Sequence, residues 1–143
     1  MEIGSVVTFT LAGMTFEYDE QKNQKNIRKH GISFKNAARV FFDYDRIELF
    51  DEENSGDEER FNTIGDTSAG NLGLDAKKDS DSGKAGTVIG YIEQSTGEIN
   101  EILFVVYTER IRIEANGSKT DITRLISARL ATNFERGLYY GKY

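Results

Sequence analysis

The feature that most constrains the fold of this chain is a long β-hairpin near its C-terminal end. Its centre is Asn116-Gly117, the preferred dipeptide of a two-residue type I′ turn, and such a turn fixes the register of both flanking strands. The predicted register brings five pairs face to face, three of them of opposite charge: Glu114–Lys119, Arg112–Asp121, Glu109–Arg124, Ile111–Ile122 and Tyr107–Ile126. Each facing pair of opposite charges adds roughly 0.2–1 kcal/mol, so their agreement supports the register independently of the turn.

Two helices are predicted in the N-terminal part of the chain. The first begins after the N-cap Asp19, ends before Gly31 and is nearly all polar. The second begins after Ser33 and carries an apolar stripe at helical spacing, made of Phe34, Ala37, Ala38 and Phe41. Because an apolar face normally stabilises a helix, the first one must depend on neighbouring aromatic residues or on a partner, or be marginal.

Short strands are predicted before and after these helices. They are Val6–Leu11, Met14–Tyr18, Arg46–Phe50, Arg60–Ile64, Val88–Glu93 and Ile99–Glu109. A T-x-x-E capping box at Thr132 and Glu135 begins a last helix. This order predicts an α+β fold in a single domain, residues 1–143, with an antiparallel sheet, two N-terminal helices and a C-terminal helix.

Residues 66–101 differ in composition from the rest of the chain. Between 66 and 86 the sequence is rich in Gly, Ser, Asp and Lys and has almost no large apolar residue. Such a segment cannot bury enough surface to offset the entropy lost on ordering. We therefore predict an insertion at 66–101, consisting of a mobile acidic loop at 66–86 followed by a hairpin.

The net charge of -6 argues against a nucleic-acid partner only as an average. Residues 103–143 carry seven basic and four acidic side chains, and 21–42 carry six basic side chains and no acid. These two regions could form one phosphate-facing surface if the fold brings them together, although a charge run is more often simply a solvated face. The chain has no Cys and no stretch long enough to cross a membrane, and we expect a cytoplasmic protein without a membrane partner.

Several ordered blocks of this sequence resemble the BrnT family of toxins. The blocks are Phe16-Glu17-Tyr18-Asp19, Arg28-Lys29-His30-Gly31-Ile32-Ser33-Phe34, Glu58-Glu59-Arg60-Phe61, Val106-Tyr107-Thr108-Glu109-Arg110, Ile126-Ser127-Ala128-Arg129 and Glu135-Arg136 with Tyr139. The resemblance implies a RelE-like fold and a ribonuclease toxin of a type II toxin–antitoxin system that inhibits translation. It further implies cleavage of RNA without a metal or other cofactor, a BrnA-like antitoxin as partner, and contact with operator DNA only through that antitoxin.

The residues that the resemblance and the chemistry single out are four catalytic candidates and five candidates for RNA binding. The catalytic candidates are His30, Arg60, Arg110 and Arg129, and the RNA-binding candidates are Lys22, Lys25, Lys29, Tyr107 and Tyr139. Cleavage needs a proton acceptor and donor and positive charge around the phosphate, which histidine and arginine can provide. Each has a structural alternative: a helix C-terminal role for His30, charge balance for Arg60, and core packing for the tyrosines.

The predicted register also assigns the arginines to sheet faces. Arg110 shares a face with Arg129, about 20 Å away along the ladder at about 3.4 Å per residue, so one phosphate cannot contact both. Arg124 falls on the other face, where a salt bridge with Glu109 is the better interpretation.

A second class of function stays open beside the ribonuclease. Asn54-Ser55 stands where family members often carry His-Ser, and the acidic insertion is foreign to a compact toxin. The alternative is a catalytically degenerate binding module that acts through protein partners, as a co-repressor or an interaction protein.

Overall fold

The computed structural model of the protein describes residues 5–68 and 101–141. These residues form six strands: β1 (Val6–Leu11), β2 (Met14–Asp19), β3 (Ile47–Phe50), β4 (Phe61–Asp66), β5 (Ile102–Ile113) and β6 (Lys119–Leu130). They also form three α-helices and one 3-10 helix: α1 (Glu20–His30), α2 (Phe34–Ala37), the 3-10 helix (Ala38–Phe42) and α3 (Asn133–Tyr139). The α+β class is confirmed. The strand predicted at Val88–Glu93 and most of the 66–101 insertion lie outside the described residues.

The six strands form one mixed sheet in the order β1-β2-β6-β5-β4-β3. Four of the five neighbouring pairs are antiparallel, but β2 runs parallel to β6, so the prediction of a purely antiparallel sheet is wrong. The chain between β2 and β6 includes the helices α1 and α2 and the strands β3 to β5. A connection of this length allows two strands to pair in parallel. The local sequence of β2 and of β6 gives no indication that these two strands pair.

Helices α1 and α2 and the 3-10 helix cover one face of the sheet. The buried side chains between the two layers include Phe16, Tyr18, Phe34, Val40, Phe41, Leu103, Val105, Tyr107, Leu125 and Ala128. The predicted caps are confirmed, since Asp19 accepts from the N–H of Gln21 and Gly31 ends α1 at a φ of 74°. Helix α1 buries asparagines instead of aliphatic residues, which answers how a polar helix is held to the sheet.

The β5–β6 hairpin differs from the predicted one by a single residue. Glu114 and Ser118 close a three-residue loop, and Gly117 has a φ of 89° while Asn116 does not have a positive φ. A type I′ turn needs positive φ at both central residues, so a type I turn followed by a glycine bulge forms instead. The residues opposite Lys119, Asp121, Ile122, Thr123, Arg124 and Leu125 are Ile113, Ile111, Arg110, Glu109, Thr108 and Tyr107. All five predicted facing pairs are therefore wrong.

A bulge in β6 restores the predicted register further along the hairpin. Tyr107 lies opposite Leu125 and Val106 opposite Ser127, which leaves Ile126 without a facing residue. Beyond this bulge Phe104 faces Arg129, as the predicted register requires. The strand pairing on one side of the bulge is therefore shifted by one residue relative to the pairing on the other side.

Within the described residues, no helix is long and apolar enough to cross a membrane.

Strand β4 extends to Asp66, which pairs with Ile102, and the backbone N–H of Thr67 donates to the carbonyl oxygen of Glu101 at 3.1 Å. The two ends of the predicted insertion therefore lie side by side.

Candidate functional site

A charged cluster lies on the sheet face opposite α1 and α2. In β2, Phe16 and Tyr18 are buried in the core, so Glu17 between them points to the opposite face. In β6, Arg124 alternates in the same way with the buried Leu125. Arg110 in β5 lies on this face as well, because it alternates with Glu109 and Ile111 beyond the buried Tyr107. The fold therefore gathers three charged side chains from three neighbouring strands.

Glu17 joins the two arginines of this cluster. Its Oε2 accepts a hydrogen bond from Nη1 of Arg124 at 2.8 Å and a longer one from Nη1 of Arg110 at 3.5 Å. Because both guanidinium groups contact the same oxygen atom, they are close enough together to bind one phosphate group from two sides. The Arg124–Glu17 pair is largely shielded, with side-chain exposures of 19% and 13%.

Glu58 occupies the remaining donors of Arg110. Its Oε2 accepts from Nε of Arg110 at 2.8 Å and its Oε1 from Nη2 at 3.2 Å, which makes a two-pronged pair. These hydrogen bonds outweigh partial burial and hold the pKa of the Glu58 carboxyl below its usual value, and they raise the pKa of Arg110. Each side chain is 43% exposed, so solvent screens the pair and its contribution to stability is about 0–1 kcal/mol.

Two members of the cluster, Arg110 and Glu58, line an open cleft of about 980 Å³. Gly13 to Thr15, at the β1–β2 turn, line one side and Asp57 to Glu59 the other, with Arg110 and Ile122 between them. The rim is acidic and the floor carries arginine, so the cleft has both signs of charge. Such a surface can bind a phosphate on its floor while repelling one at its rim.

Arg129 is held in a separate place, at the other end of β5. It lies opposite Phe104, with its guanidinium 4.2 Å from the centre of that ring, whereas Arg110 lies opposite Ile122. Its Nη1 and Nη2 donate to the two carboxylate oxygens of Glu135 at 2.9 and 3.0 Å. Glu135 also completes the capping box of α3 with Thr132. Burial opposes ionisation of Glu135, but these hydrogen bonds prevail and lower its pKa.

His30 and the three lysines belong to α1, on the helix-covered face. Lys22, Lys25 and Lys29 are exposed and fall on one side of the helix, whereas His30 is half-buried at its C-terminal end. The sheet lies between α1 and the Arg110 cluster. The fold therefore does not bring the lysines of this basic region and the Arg110 cluster onto one surface, which was the condition for a shared phosphate-facing surface.

Arg60 lies just before β4, beside the charged cluster. Its N–H donates to Oγ of Ser55 and its carbonyl oxygen accepts from the N–H of Asp51, both at 2.9 Å. One step beyond the β4–β5 ladder, the register places Arg60 opposite Thr108, the residue that faces Arg124. Of the predicted catalytic residues, Arg60 and Arg110 are thus the two that the fold brings near each other.

The two tyrosines have structural contacts. Tyr107 is only 3% exposed and its ring packs on Phe41 and Phe61, which leaves it no free face for an RNA base. Burial raises its pKa. The hydroxyl of Tyr139 donates to Oδ2 of Asp43 at 2.6 Å, and its pKa is raised by burial and by this carboxylate. Tyr107 is thus part of the core, whereas Tyr139 is half-buried and joins α3 to Asp43.

Sequence reasoning missed three members of the cluster, Glu17, Glu58 and Arg124. Arg124 was assigned to the wrong face because the hairpin register was wrong by one residue on its side of Ile126. The alternation of Glu17 with Phe16 and Tyr18 was a usable signal, because a charged residue between two aromatic ones in a strand points away from the core. Glu58 carried no comparable signal, since its partner is 52 residues away.

Comparison with known families agrees with the resemblance seen in the sequence. Residues 18–74 match the family described as ribonuclease toxin, BrnT, of type II toxin-antitoxin system. No curated protein matches the chain. The matched range contains His30, Glu58 and Arg60 and ends before β5 and β6. Over these residues, the chain is similar to the BrnT family of ribonuclease toxins.

Proposed function

We propose that this protein is a ribonuclease toxin with a RelE-like fold, acting in the cytoplasm and neutralised by a BrnA-like antitoxin. The observation that carries the proposal is the match of residues 18–74 to a family of ribonuclease toxins. The α+β sheet with its arginine cluster supports it, because a face that presents two converging guanidinium groups suits a phosphodiester. Cleavage of RNA would stop translation, and operator DNA would be reached only through the antitoxin.

The proposed cleavage requires no metal, because the chain's own side chains can meet each requirement. Arg110 and Arg124 would neutralise the charge that builds up on the phosphate as the 2′-oxygen forms its bond to phosphorus. Glu17, the shielded carboxylate between them, would accept the proton of the 2′-hydroxyl. The 5′-oxygen would leave with a proton taken from water, and the proton held by Glu17 would neutralise the hydroxide that remains. Arg60, whose guanidinium keeps its proton, would add positive charge beside the phosphate.

The other predicted residues would act away from the bond that is cleaved. Arg129 would contact a phosphate several nucleotides further along, since it faces Phe104, six positions before Arg110 in β5. His30, with the exposed lysines at 22, 25 and 29, would form a second surface on α1. That surface suits either the flanking RNA or the antitoxin, which would then cover the polar helix.

The first prediction tests activity through Arg124. Expression of the chain alone should arrest growth and cleave RNA in the presence of a chelator, and the neighbouring antitoxin gene should relieve both effects. Arg124→Ala and Arg110→Ala should each lower the cleavage rate at least about 100-fold, the loss typical of removing one preorganised charge donor. Arg112→Ala is the matched control, because Arg112 lies two residues along β5 and pairs with Glu114 instead.

A second candidate function is supported by one observation. Within the described residues, Arg110 and Arg129 both have their guanidinium groups engaged by carboxylates, Glu58 and Glu135. A degenerate toxin kept as a binding module or co-repressor would tolerate this. The same experiment separates the two functions: a folded protein that binds its antitoxin but neither arrests growth nor cleaves RNA would be the binding module.

A further inference from the structure

We propose that the Glu58 carboxylate holds the place of an RNA phosphodiester on Arg110, so that RNA binds only when the Glu58 side chain leaves. The inference rests on the proposed ribonuclease function and adds a built-in competitor to it. The geometry is the first support. A carboxylate presents two oxygens to Nε and Nη2 of Arg110, as the two non-bridging oxygens of a phosphodiester would.

Charge gives the second support. The cluster contains two arginines and two glutamates, so it is formally neutral when Glu17 and Glu58 are both in place. A phosphodiester that joined all four groups would bring an uncompensated negative charge into a partly shielded site. If the phosphodiester replaces Glu58, the two arginines again face two negative groups, and the balance is kept.

Exposure shows which of the two glutamates would be exchanged. Glu17 is 13% exposed and contacts both arginines, whereas Glu58 is 43% exposed and contacts Arg110 from a loop. The exposed pair is screened by water and is the easier to break. When RNA binds, the Glu17–Arg124 pair therefore stays intact and the hydrogen bonds between Glu58 and Arg110 break.

The loop that carries Glu58 is closed at its base, so only the side chain has to move. The N–H of Asp51 donates to the carbonyl oxygen of Arg60 at 2.9 Å, and Ser55 Oγ donates to the carbonyl oxygen of Asp51 at 2.7 Å. Neither contact involves Glu58. Rotation of its side chain into the cleft rim would free Nε and Nη2 of Arg110 and leave the loop in place.

The test measures binding of a single-stranded 2′-O-methyl oligoribonucleotide, which cannot be cleaved through its 2′-position. Glu58→Gln should bind about fivefold more tightly than the original chain, because the competing ion pair is lost. Glu59→Gln removes the same charge from the next residue on the rim and should change the affinity less than about twofold. Arg110→Ala in the Glu58→Gln background should abolish the gain.

Three results would decide against the competitor. Equal tightening by Glu58→Gln and Glu59→Gln would mean that only rim charge matters, and no tightening by either would mean that Glu58 does not compete. If the original chain cleaves RNA in either case, the proposed function stands and only this inference fails. If no form binds or cleaves RNA, both fail. Should Glu58→Gln not fold, Glu58→Asp, whose carboxylate is one methylene further from Arg110, replaces it with the same expected direction.

Discussion

Asn26 holds α1 to the sheet at a position where an apolar side chain would be expected. Its amide donates to the carbonyl oxygens of Ala128 and Ile32 at 2.8 and 2.9 Å, and its Oδ1 accepts from the N–H of Ala128 at 3.2 Å. Asn23 likewise accepts from the N–H of Phe34. The ends of α1 could be predicted from its capping residues. The hydrogen bonds that attach the helix to the sheet could not. Its main partner lies 102 residues away, and no local pattern encodes that contact.

Replacing Asn26 with alanine tests this role. Asn26→Ala should lower the free energy of unfolding by about 3 kcal/mol, because buried backbone groups of Ala128 and Ile32 lose their partners. Urea denaturation measures the change. Asn36→Ala is the control: Oδ1 of Asn36 is buried without a hydrogen-bond partner among the described residues, and the loss should stay below about 1 kcal/mol. Equal losses for both variants would contradict the role given to Asn26.

At the scale of elements, most boundaries followed from local chemistry, whereas the β2–β6 pairing and the β5–β6 register did not. Caps, turn residues and alternation placed the helices and all six described strands, up to a few residues at their ends. The β2–β6 pairing and the turn at Asn116-Gly117 required information that local sequence lacks. Two turn types compete for the same dipeptide, and a single extra loop residue decides which face each side chain takes.

The contact between β4 and the 3-10 helix gives a test at this scale. A Cβ atom at Gly65 would lie 2.9 Å from Cβ of Val40 and 3.1 Å from its carbonyl oxygen. Gly65→Ala should therefore push the two elements apart and lower the free energy of unfolding by about 1–3 kcal/mol. Gly56→Ala, where a Cβ meets nothing within 4 Å, should change it by less than about 0.5 kcal/mol. A tolerated Gly65→Ala would show that the 3-10 helix packs loosely.

For the whole molecule, the sheet separates two basic regions that could have formed one surface as far as the sequence alone could tell. The lysines of α1 lie on the helix-covered side, and Arg110 with Arg124 lies on the other. Charge counts along the chain located both regions correctly. They could not show that a sheet stands between them, because the side on which a charge emerges depends on strand pairing. The sequence thus predicted that arginines would form the candidate site and named Arg60 and Arg110, but it did not name Arg124, Glu17 or Glu58.

Alkaline pH tests the packing of the whole fold through its buried tyrosines. The pKa values of Tyr107 and Tyr139 are raised in the folded protein, whereas an unfolded chain loses these protons near pH 10. Above that pH the folded state binds more protons than the unfolded state, so the stability they contribute is complete below pH 10 and is lost as the pH rises.

The measurement is denaturation between about pH 9 and 11, with tyrosinate absorbance followed alongside circular dichroism. Tyr107→Phe keeps the ring between Phe41 and Phe61 and should reduce the alkaline loss. Tyr44→Phe, at a side chain that is 96% exposed, should leave the loss unchanged. A stability that stays constant across this range would contradict the burial of both hydroxyls.

Because Ile126 is unpaired, β6 depends more on having this exact number of residues than on which side chains they carry. Leu125 and Ala128 both enter the core although two residues lie between them, where a regular strand would have one or three. For the same reason Arg124 and Arg129 both emerge on the far side. Removing one residue at the bulge would exchange inside and outside for one half of the strand. Relatives that keep this architecture should therefore vary in side chains along β6 and be intolerant of insertions or deletions between the two arginines.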